Sequence, residues 1–522
     1  MNSRRDFLYT IILGSGAVFL APLPGCDKKR SGAEDTKLQK IADALRPRTG
    51  TPQFRVAHEY LRDGKPLPIA RTTTQHDVIV VGGGISGLTA ALVLQLNGIN
   101  SVLLEAEHRL GGSAVSETMN GVSVPLGSVY FVSKTEEIEL LMRAAKIESV
   151  QCPDDVHILA SGERVRDLWS DNTLRAVVKN EDDRQGMQRF RDRLLAMSDD
   201  LPTYPLAQTL SSKNRELDAV SSADYAKQFG SATLDKVLNA YSRSSMGAAS
   251  RQTNAYCLLN FYQSEFGTPL GYPRYSFAGG TSRLTDGVAR QLTNIHPSSL
   301  VARINETETS VEVDAVEADG SVTRHVARYG IIAVPKYQLP RLLARPSVNR
   351  LKALSQLTYA PYVTIQIRSL VALTSGDAYD TWDLRSEETY TDIIDPMSIQ
   401  SASNVNIVSL YVPLQLSQRS MLQSSESFAA FAAATVEKYA AFLTDEQRES
   451  IIEVHCWGWG HGVVVPTVGS HNGPAQQASV PTTRLRFAGT DNDCAPAIEN
   501  ATEQGARAAR DIIAQLHGKA GR

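Results

Sequence analysis

A chain of 522 residues is longer than one hydrophobic core serves, and its length implies roughly two to four domains. Hydrophobic residues at 42% and charged residues at 21% exclude a mainly disordered chain, while 53 Lys plus Arg against 56 Asp plus Glu give a net charge of −3 and no electrostatic reason to expect nucleic acid as a partner. Five cysteines are too few for a disulfide scaffold; with no C-x-x-C pair no metal centre is expected, and one or two disulfides are allowed in an oxidising compartment.

The chain opens on Ser3-Arg4-Arg5-Asp6-Phe7-Leu8, a paired arginine ahead of an apolar run that reaches about Leu23. A charged head, a short apolar stretch and a small-residue end read as an export signal, and Gly14, Gly16, Pro22 and Pro24 interrupt any spanning helix. The segment resembles a twin-arginine translocation signal, which implies export of a folded chain to the periplasm. Leu23-Pro24-Gly25-Cys26 resembles a bacterial lipobox, with a proline out of pattern. Residues 1–26 are therefore expected to be a signal ending at a lipidated Cys26 that tethers the chain to a membrane; ordinary cleavage nearby is the alternative. Residues 27–75 are polar, with a short helical pattern near 38–45 and prolines at 47, 52, 66 and 68, and read as a tether and N-terminal extension.

Asp77-Val78-Ile79-Val80-Val81 is a continuous β-branched run, as expected for a parallel strand buried on both faces. It runs into Gly82-Gly83-Gly84-Ile85-Ser86-Gly87, which fits G-x-G-x-x-G, and then into an apolar helix stopped at Asn97-Gly98. Gly82 permits the tight turn, Gly84 admits a pyrophosphate to the backbone, and Gly87 allows close helix–strand packing. At Ile85 and Ser86 the helix start offers free N–H groups to phosphate. After a second short strand, Ser101-Val102-Leu103-Leu104, Glu105 stands 18 residues past Gly87, placed to bind an adenosine ribose.

Beyond the acid, Glu105-Ala106-Glu107-His108-Arg109-Leu110-Gly111-Gly112-Ser113 forms E-x-x-x-R-x-G-G, which resembles the flavin amine oxidase and phytoene desaturase superfamily. That resemblance implies FAD, with Ala106, Arg109, Gly111, Gly112 and Ser113 in a loop around its diphosphate. It continues in Leu126-Gly127-Ser128-Val129-Tyr130, which looks like the segment beside the isoalloxazine, and in Ser276-Phe277-Ala278-Gly279-Gly280-Thr281 with a helix expected over 284–292. The strand around Val301 implies a backbone contact with adenine. Ile331-Ile332-Ala333-Val334-Pro335 matches a further family strand end. The last block, Leu485-Arg486-Phe487-Ala488-Gly489-Thr490-Asp491, ends in A-G-x-D and leads through Pro496-Ala497-Ile498-Glu499-Asn500 into a helix over 501–516, implying that Gly489, Asp491, Ala497 and Ile498 lie near the flavin or its ribityl chain. The expected fold class is α/β. A Rossmann-like FAD-binding domain (GR2 type) would be assembled from 76–134, 276–340 and 480–522, with an α+β substrate domain from 135–275 and 341–479.

Flavin amine oxidases usually add a lysine near the reacting edge of the ring and two aromatic rings before it. Here Thr364 stands where that lysine would be and Ala497 where one ring would be. The run Val454-His455-Cys456-Trp457-Gly458-Trp459-Gly460-His461-Gly462 resembles the R-W-x-H-G segment of bacterial spermidine dehydrogenase-like flavoproteins. That likeness implies His461 moving a proton or bonding the flavin and Trp459 packing against it, and Thr364 at the lysine position completes the expected catalytic set; a purely structural histidine is the alternative. The reading is an exported FAD-dependent oxidoreductase that takes a hydride from an amine, polyamines included, and passes electrons to oxygen, a quinone or a cytochrome. Two alternatives stay open: a desaturase or dehydrogenase of a hydrophobic substrate, and a flavin-binding maturation partner of another exported enzyme.

Overall fold

The computed structural model describes residues 45–48 and 56–520, apart from 198–200, 202–205, 207–209, 266–272, 387–388 and 401–404. The signal-like segment, with Arg4, Arg5 and Cys26, lies outside the described residues.

Two sheets organise the chain. In the first, the Thr72–Val81 strand pairs parallel with Ser101–Leu104 on one side and Val322–Ile332 on the other. Ile295–His296 extends one flank, and Leu485–Phe487 joins the end of Val322–Ile332. Val78, Ile79, Val80 and Val81 are all buried, because both faces of this sheet are covered. Leu300–Glu306 and Val311–Val316 continue it antiparallel. Their Val301, Val311, Val313 and Ala315 share one core with Ile79, Val81, Val102 and Leu104, so the antiparallel half turns onto one face of the parallel half. The opposite face takes the helices Ile85–Leu96 and Ile498–Ala520. Glycine sets both approaches. A Cβ on Gly87 would stand 1.9 Å from the Gly82 carbonyl oxygen, and one on Gly505 would stand 2.1 Å from that of Ser86. The last helix therefore crosses the first turn of the opening helix backbone to backbone.

The second sheet runs Leu45–Arg48, Ile451–Val465, Thr358–Ser369, Asn406–Pro413, Asp392–Ile394, Asp380–Asp383, Val156–Ile158 and Arg164–Arg166. Alternation gives it two unlike faces. Val363, Ile365, Ile367, Val408, Leu410 and Val412 pack on Phe428, Ala432, Val436 and Tyr439 of the Ser425–Ala440 helix. Each such buried side chain contributes about 1.5–3 kcal/mol. On the other face Trp457, Thr364, Tyr411 and Asp392 stand opposed in one row across four strands. Helices Glu181–Ala196, Ala232–Met246 and Ala255–Glu265 meet in a further core, where Trp169, Phe190, Tyr241 and Tyr262 pack edge-on or tilted against one another and Tyr241 reaches Trp382 of the sheet.

Several boundaries differ from those expected. The described part of 27–75 is not a free tether. Leu45–Arg48 is an edge strand parallel to Val454–Trp457, where Pro47 is tolerated because an edge needs fewer ladder bonds. Val56, Ala57, Tyr60 and Leu61 pack on Leu300 and Ala302, and the first long strand already begins at Thr72. The helix expected over 284–292 is Ser282–Ala289. Leu342, Ala353 and Leu354 belong to the first sheet's core, beyond the expected boundary at 340. Cys152, Cys257, Cys456 and Cys494 are buried free thiols. Among the described residues no helix is long and apolar enough to cross a membrane.

Candidate active site

The glycine turn and the second glycine pair come together where the two domains meet. Gly82 closes its strand with an N–H donated to the Leu104 carbonyl at 2.8 Å. The Gly111 N–H donates to Gly83 at 2.8 Å, and a Cβ on Gly112, whose φ is +59°, would lie 3.0 Å from the Gly84 Cα. The Ile85–Leu96 helix begins at Gly84 with no side-chain cap, and the Ser86 hydroxyl is buried with no partner among the described residues. An uncapped, buried helix start with an orphaned hydroxyl, floored by backbone that carries no Cβ, is the donor set a diphosphate needs. Glu105 accepts hydrogen bonds from the Gly83 N–H at 2.6 Å and the Glu107 N–H at 2.7 Å, which fastens the turn to the second strand; burial raises its pKa. Ala106 packs at the start of the antiparallel half beside Leu300, and Val301 is buried in the core under it. Arg109 lies with its guanidinium 5.1 Å from the Trp457 ring, linking the glycine loop to the second sheet.

A cavity of about 200 Å³ opens beside this cradle. One wall belongs to the first domain: Ile85, Ser113, Gly127, Ser128, Thr490, Ala497 and Ile498. The other comes from the second domain and carries Thr364, Tyr362, Tyr411, Trp459, Ser244, Glu265 and Asp392. The sheet row straps the segment after Pro125 in place. Trp459 Nε1 donates to the Leu126 carbonyl at 2.6 Å, Thr364 Oγ1 to the same carbonyl at 3.4 Å, and the Tyr411 hydroxyl to that of Gly127 at 2.7 Å.

The second wall is acidic as well as aromatic. The Tyr130 hydroxyl donates to Glu265 at 3.1 Å, and Arg274 lies 4.2 Å from the Tyr130 ring centroid. Arg274 pairs with Asp155 at 2.8 Å, Asp380 at 2.8 Å and Glu265 at 3.9 Å. Asp392 is held by hydroxyls, those of Thr391 and Ser244. Burial raises the pKa of Asp155, Asp380 and Asp392, because a carboxylate loses its hydration there. On the first wall Glu499 accepts N–H bonds from Val132 at 2.7 Å and Ser133 at 3.0 Å, yet burial still pushes it up to about 7.

The structure thus gathers Gly82, Gly84, Ile85, Ser86, Gly87, Glu105, Gly111, Gly112 and Ser113 at the cradle, and Gly127, Ser128, Ala497, Ile498, Thr364 and Trp459 at the cavity. Ala106, Arg109, Val301 and Gly489 lie outside both groups, and two further expected residues, His461 and Asp491, fall away from the cavity. His461 is exposed, with one ring face stacked on Tyr337 at 4.1 Å and 18°. The reason is Pro361, which has no N–H for the ladder: Ala360 pairs with Val463 and Tyr362 with Trp459, so Gly460, His461 and Gly462 bulge opposite a single residue. Asp491 is buried in a polar knot rather than on the cavity wall. It accepts from the Lys336 backbone N–H, Lys336 Nζ and the Tyr359 hydroxyl, each at 2.7 Å; Gly489 precedes it at φ +129°, and Thr490 is the residue of that turn that reaches the cavity. Asp392, Glu265 and Ser244 were not anticipated. An acid inside the short β-branched stretch Asp392-Ile393-Ile394 is a weak signal of a polar wall, and Glu265 ends an aromatic helix without any local mark.

Residues 85–513 match the family described as flavin containing amine oxidoreductase. A flavin-containing amine oxidase of Danio rerio is 24% identical over 299 residues, 51% of this chain and 51% of its own length. A nicotine dehydrogenase of Pseudomonas putida is 26% identical over 167 residues, 32% and 33% of the two chains. The chain spans about half the length of the first of these curated relatives, at 51%. Among solved structures, wild-type putrescine oxidase bound to putrescine superposes with a TM-score of 0.68 at 19% identity, covering 85% of this chain and 100% of the other. Cyclohexylamine oxidase from Brevibacterium oxydans gives 0.66 at 17%, with 85% and 100% covered. At such identities these likenesses show the fold, and the cofactor that the cradle fits is FAD. The chain belongs to the flavin-containing amine oxidoreductase family.

Proposed function

We propose that this protein is an FAD-dependent oxidoreductase acting on an amine, polyamines among its substrates, and passing electrons onward to oxygen, a quinone or a cytochrome. The observation that carries the proposal is the acidic, aromatic wall: Asp392 and Glu265 face the cavity between Tyr362, Tyr411 and Trp459, a lining suited to a cation with an apolar stem. Putrescine in the similarly folded oxidase and the R-W-x-H-G likeness around Trp459 support the polyamine choice. Bound FAD supplies the hydride acceptor. The chain's own residues do the rest. The uncapped Gly84–Ser86 turn and Gly112 would hold the FAD diphosphate, and Glu105 keeps that turn on its strand. Trp459, Thr364 and Tyr411 fix the Leu126–Gly127 backbone that borders the reacting space, and Tyr362 and Phe261 give it apolar lining. The proposal includes export by the paired arginine and a lipid tether at Cys26.

A desaturase acting on a hydrophobic substrate is favoured by Thr364 and Ala497, but buried carboxylates on the wall oppose an uncharged ligand. Anaerobic mixing of the purified yellow protein with spermidine, putrescine and simple amines is expected to bleach the flavin absorbance. Bleaching by lipophilic alkenes or alcohols and by no amine would overturn the assignment in favour of the desaturase.

A further inference from the structure

The cavity's two walls differ in charge, and that difference bears on which amines fit. Apart from Glu499, whose carboxyl is taken up by the Val132 and Ser133 N–H groups, neutral backbone and small side chains, Gly127, Ser128 and Ala497 among them, form the cradle wall. Glu265 and Asp392 stand across from them. Arg274 already answers Asp155, Asp380 and Glu265, and the Tyr130 hydroxyl holds Glu265 as well. Asp392 differs. It is buried, it lines the cavity, and its carboxylate is supported by the Thr391 and Ser244 hydroxyls while Arg274 acts on it only through space. Ser244 in turn lies 3.3 Å from the Tyr362 hydroxyl, so the carboxylate is oriented by a chain of hydroxyls that reaches the cavity surface. A buried carboxylate supported by neutral donors is costly unless a cation joins it.

Its position in the sheet fixes how far that cation lies from the cradle. Asp392 pairs with Tyr411, and Tyr411 with Thr364, whose hydroxyl meets the segment beside the glycine loop. Two strand spacings separate Asp392 from Thr364, about 10 Å between their backbones. A nitrogen undergoing oxidation beside the Thr364 end leaves Asp392 out of its reach, but within reach of a second charge on the same molecule.

We infer that Asp392 binds a second, unreacting ammonium group of the substrate, so that the site selects amines carrying two positive charges. The inference rests on the amine reading and names the residue that narrows it. It is tested on the FAD-loaded protein by calorimetry with two probes whose nitrogen-bearing carbons have no hydrogen to lose, 2,5-diamino-2,5-dimethylhexane and 2-amino-2-methylhexane. The diamine should bind at least about 30-fold more tightly than the monoamine, and Asp392→Asn should remove most of that ratio. Ser244→Ala, which loosens the carboxylate without removing it, should reduce the ratio about fivefold and serves if the first variant loses its FAD. In turnover, the preference for putrescine over butylamine should collapse in the same variants. Equal binding of the two probes by the native protein, or an undiminished ratio in both variants, overturns the assignment. The amine reading fails by a different result, the absence of flavin bleaching by putrescine and butylamine alike.

Discussion

Pro361 decides the fate of His461. By breaking the ladder it turns the histidine away from the cavity, where the desolvation imposed by Tyr337 over one ring face, with Arg419, His58 and Arg341, pushes its pKa down to about 4. A stacked ring that faces outward on the bulge is not placed to exchange a proton with an amine in the cavity. His461→Ala is therefore expected to change the anaerobic rate of flavin reduction by an amine less than about twofold, while lowering stability in urea by about 1 kcal/mol for the lost stack. A reduction rate slowed tenfold would return His461 to the chemistry. Glu499 gives the opposite kind of residue, silent in sequence but electrostatically active. Its folded pKa of about 7 lies above the unfolded value of 4.5, so the folded state holds the extra proton between those values. Stability conferred by that proton is complete below about pH 4.5 and is lost as pH rises through 7, by at most about 3 kcal/mol. Glu499→Gln, whose amide oxygen can still accept from Val132 and Ser133, should flatten this part of the stability curve measured by urea unfolding from pH 4.5 to 7.5. An unchanged slope would remove Glu499 as its source.

Among the elements, the two helices on the first sheet show why the glycine motifs are readable and the acidic wall is not. Gly82 to Gly87 sit in one continuous strand–turn–helix, and a local rule about backbone space reaches all of them. Gly505 obeys the same rule across the molecule, since its missing Cβ meets Ser86 more than four hundred residues earlier, and nothing in its own neighbourhood announces that. Gly505→Ala should drive a methyl into the Ser86 carbonyl, costing about 2–4 kcal/mol in urea unfolding and lowering FAD retention during gel filtration. Full stability and colour in that variant would mean the helix can shift without consequence. Asp392 is hidden for a related reason. Its place in a row with Tyr411, Thr364 and Trp457 exists only once strands drawn from residues 358–465 have paired, so periodicity identifies each strand as half-buried without saying which acid faces which partner.

At the scale of the whole molecule, the alternation of β-branched runs with helices is enough to read an α/β protein with a nucleotide-type domain, and that class holds. The second domain is less legible because its sheet collects Leu45–Arg48, Val156–Ile158 and strands from 358–465, whose pairing depends on distant chain segments. The N-terminal extension reads as solvent-exposed because it is polar and proline-rich, yet its described residues complete one sheet at an edge and cover the other at Leu300 and Ala302. Polarity reports average composition, whereas four residues suffice to pair an edge.

The crossing of Gly505 over Ser86 has a temporal consequence. During synthesis the turn at 82–87 emerges about four hundred residues ahead of the ones that close over it, Thr490, Ala497 and Ile498, which are held there by that crossing. Until those later residues have left the ribosome the chain owns only half a grip, so cofactor loading waits for them, and copies abandoned before that point stay colourless.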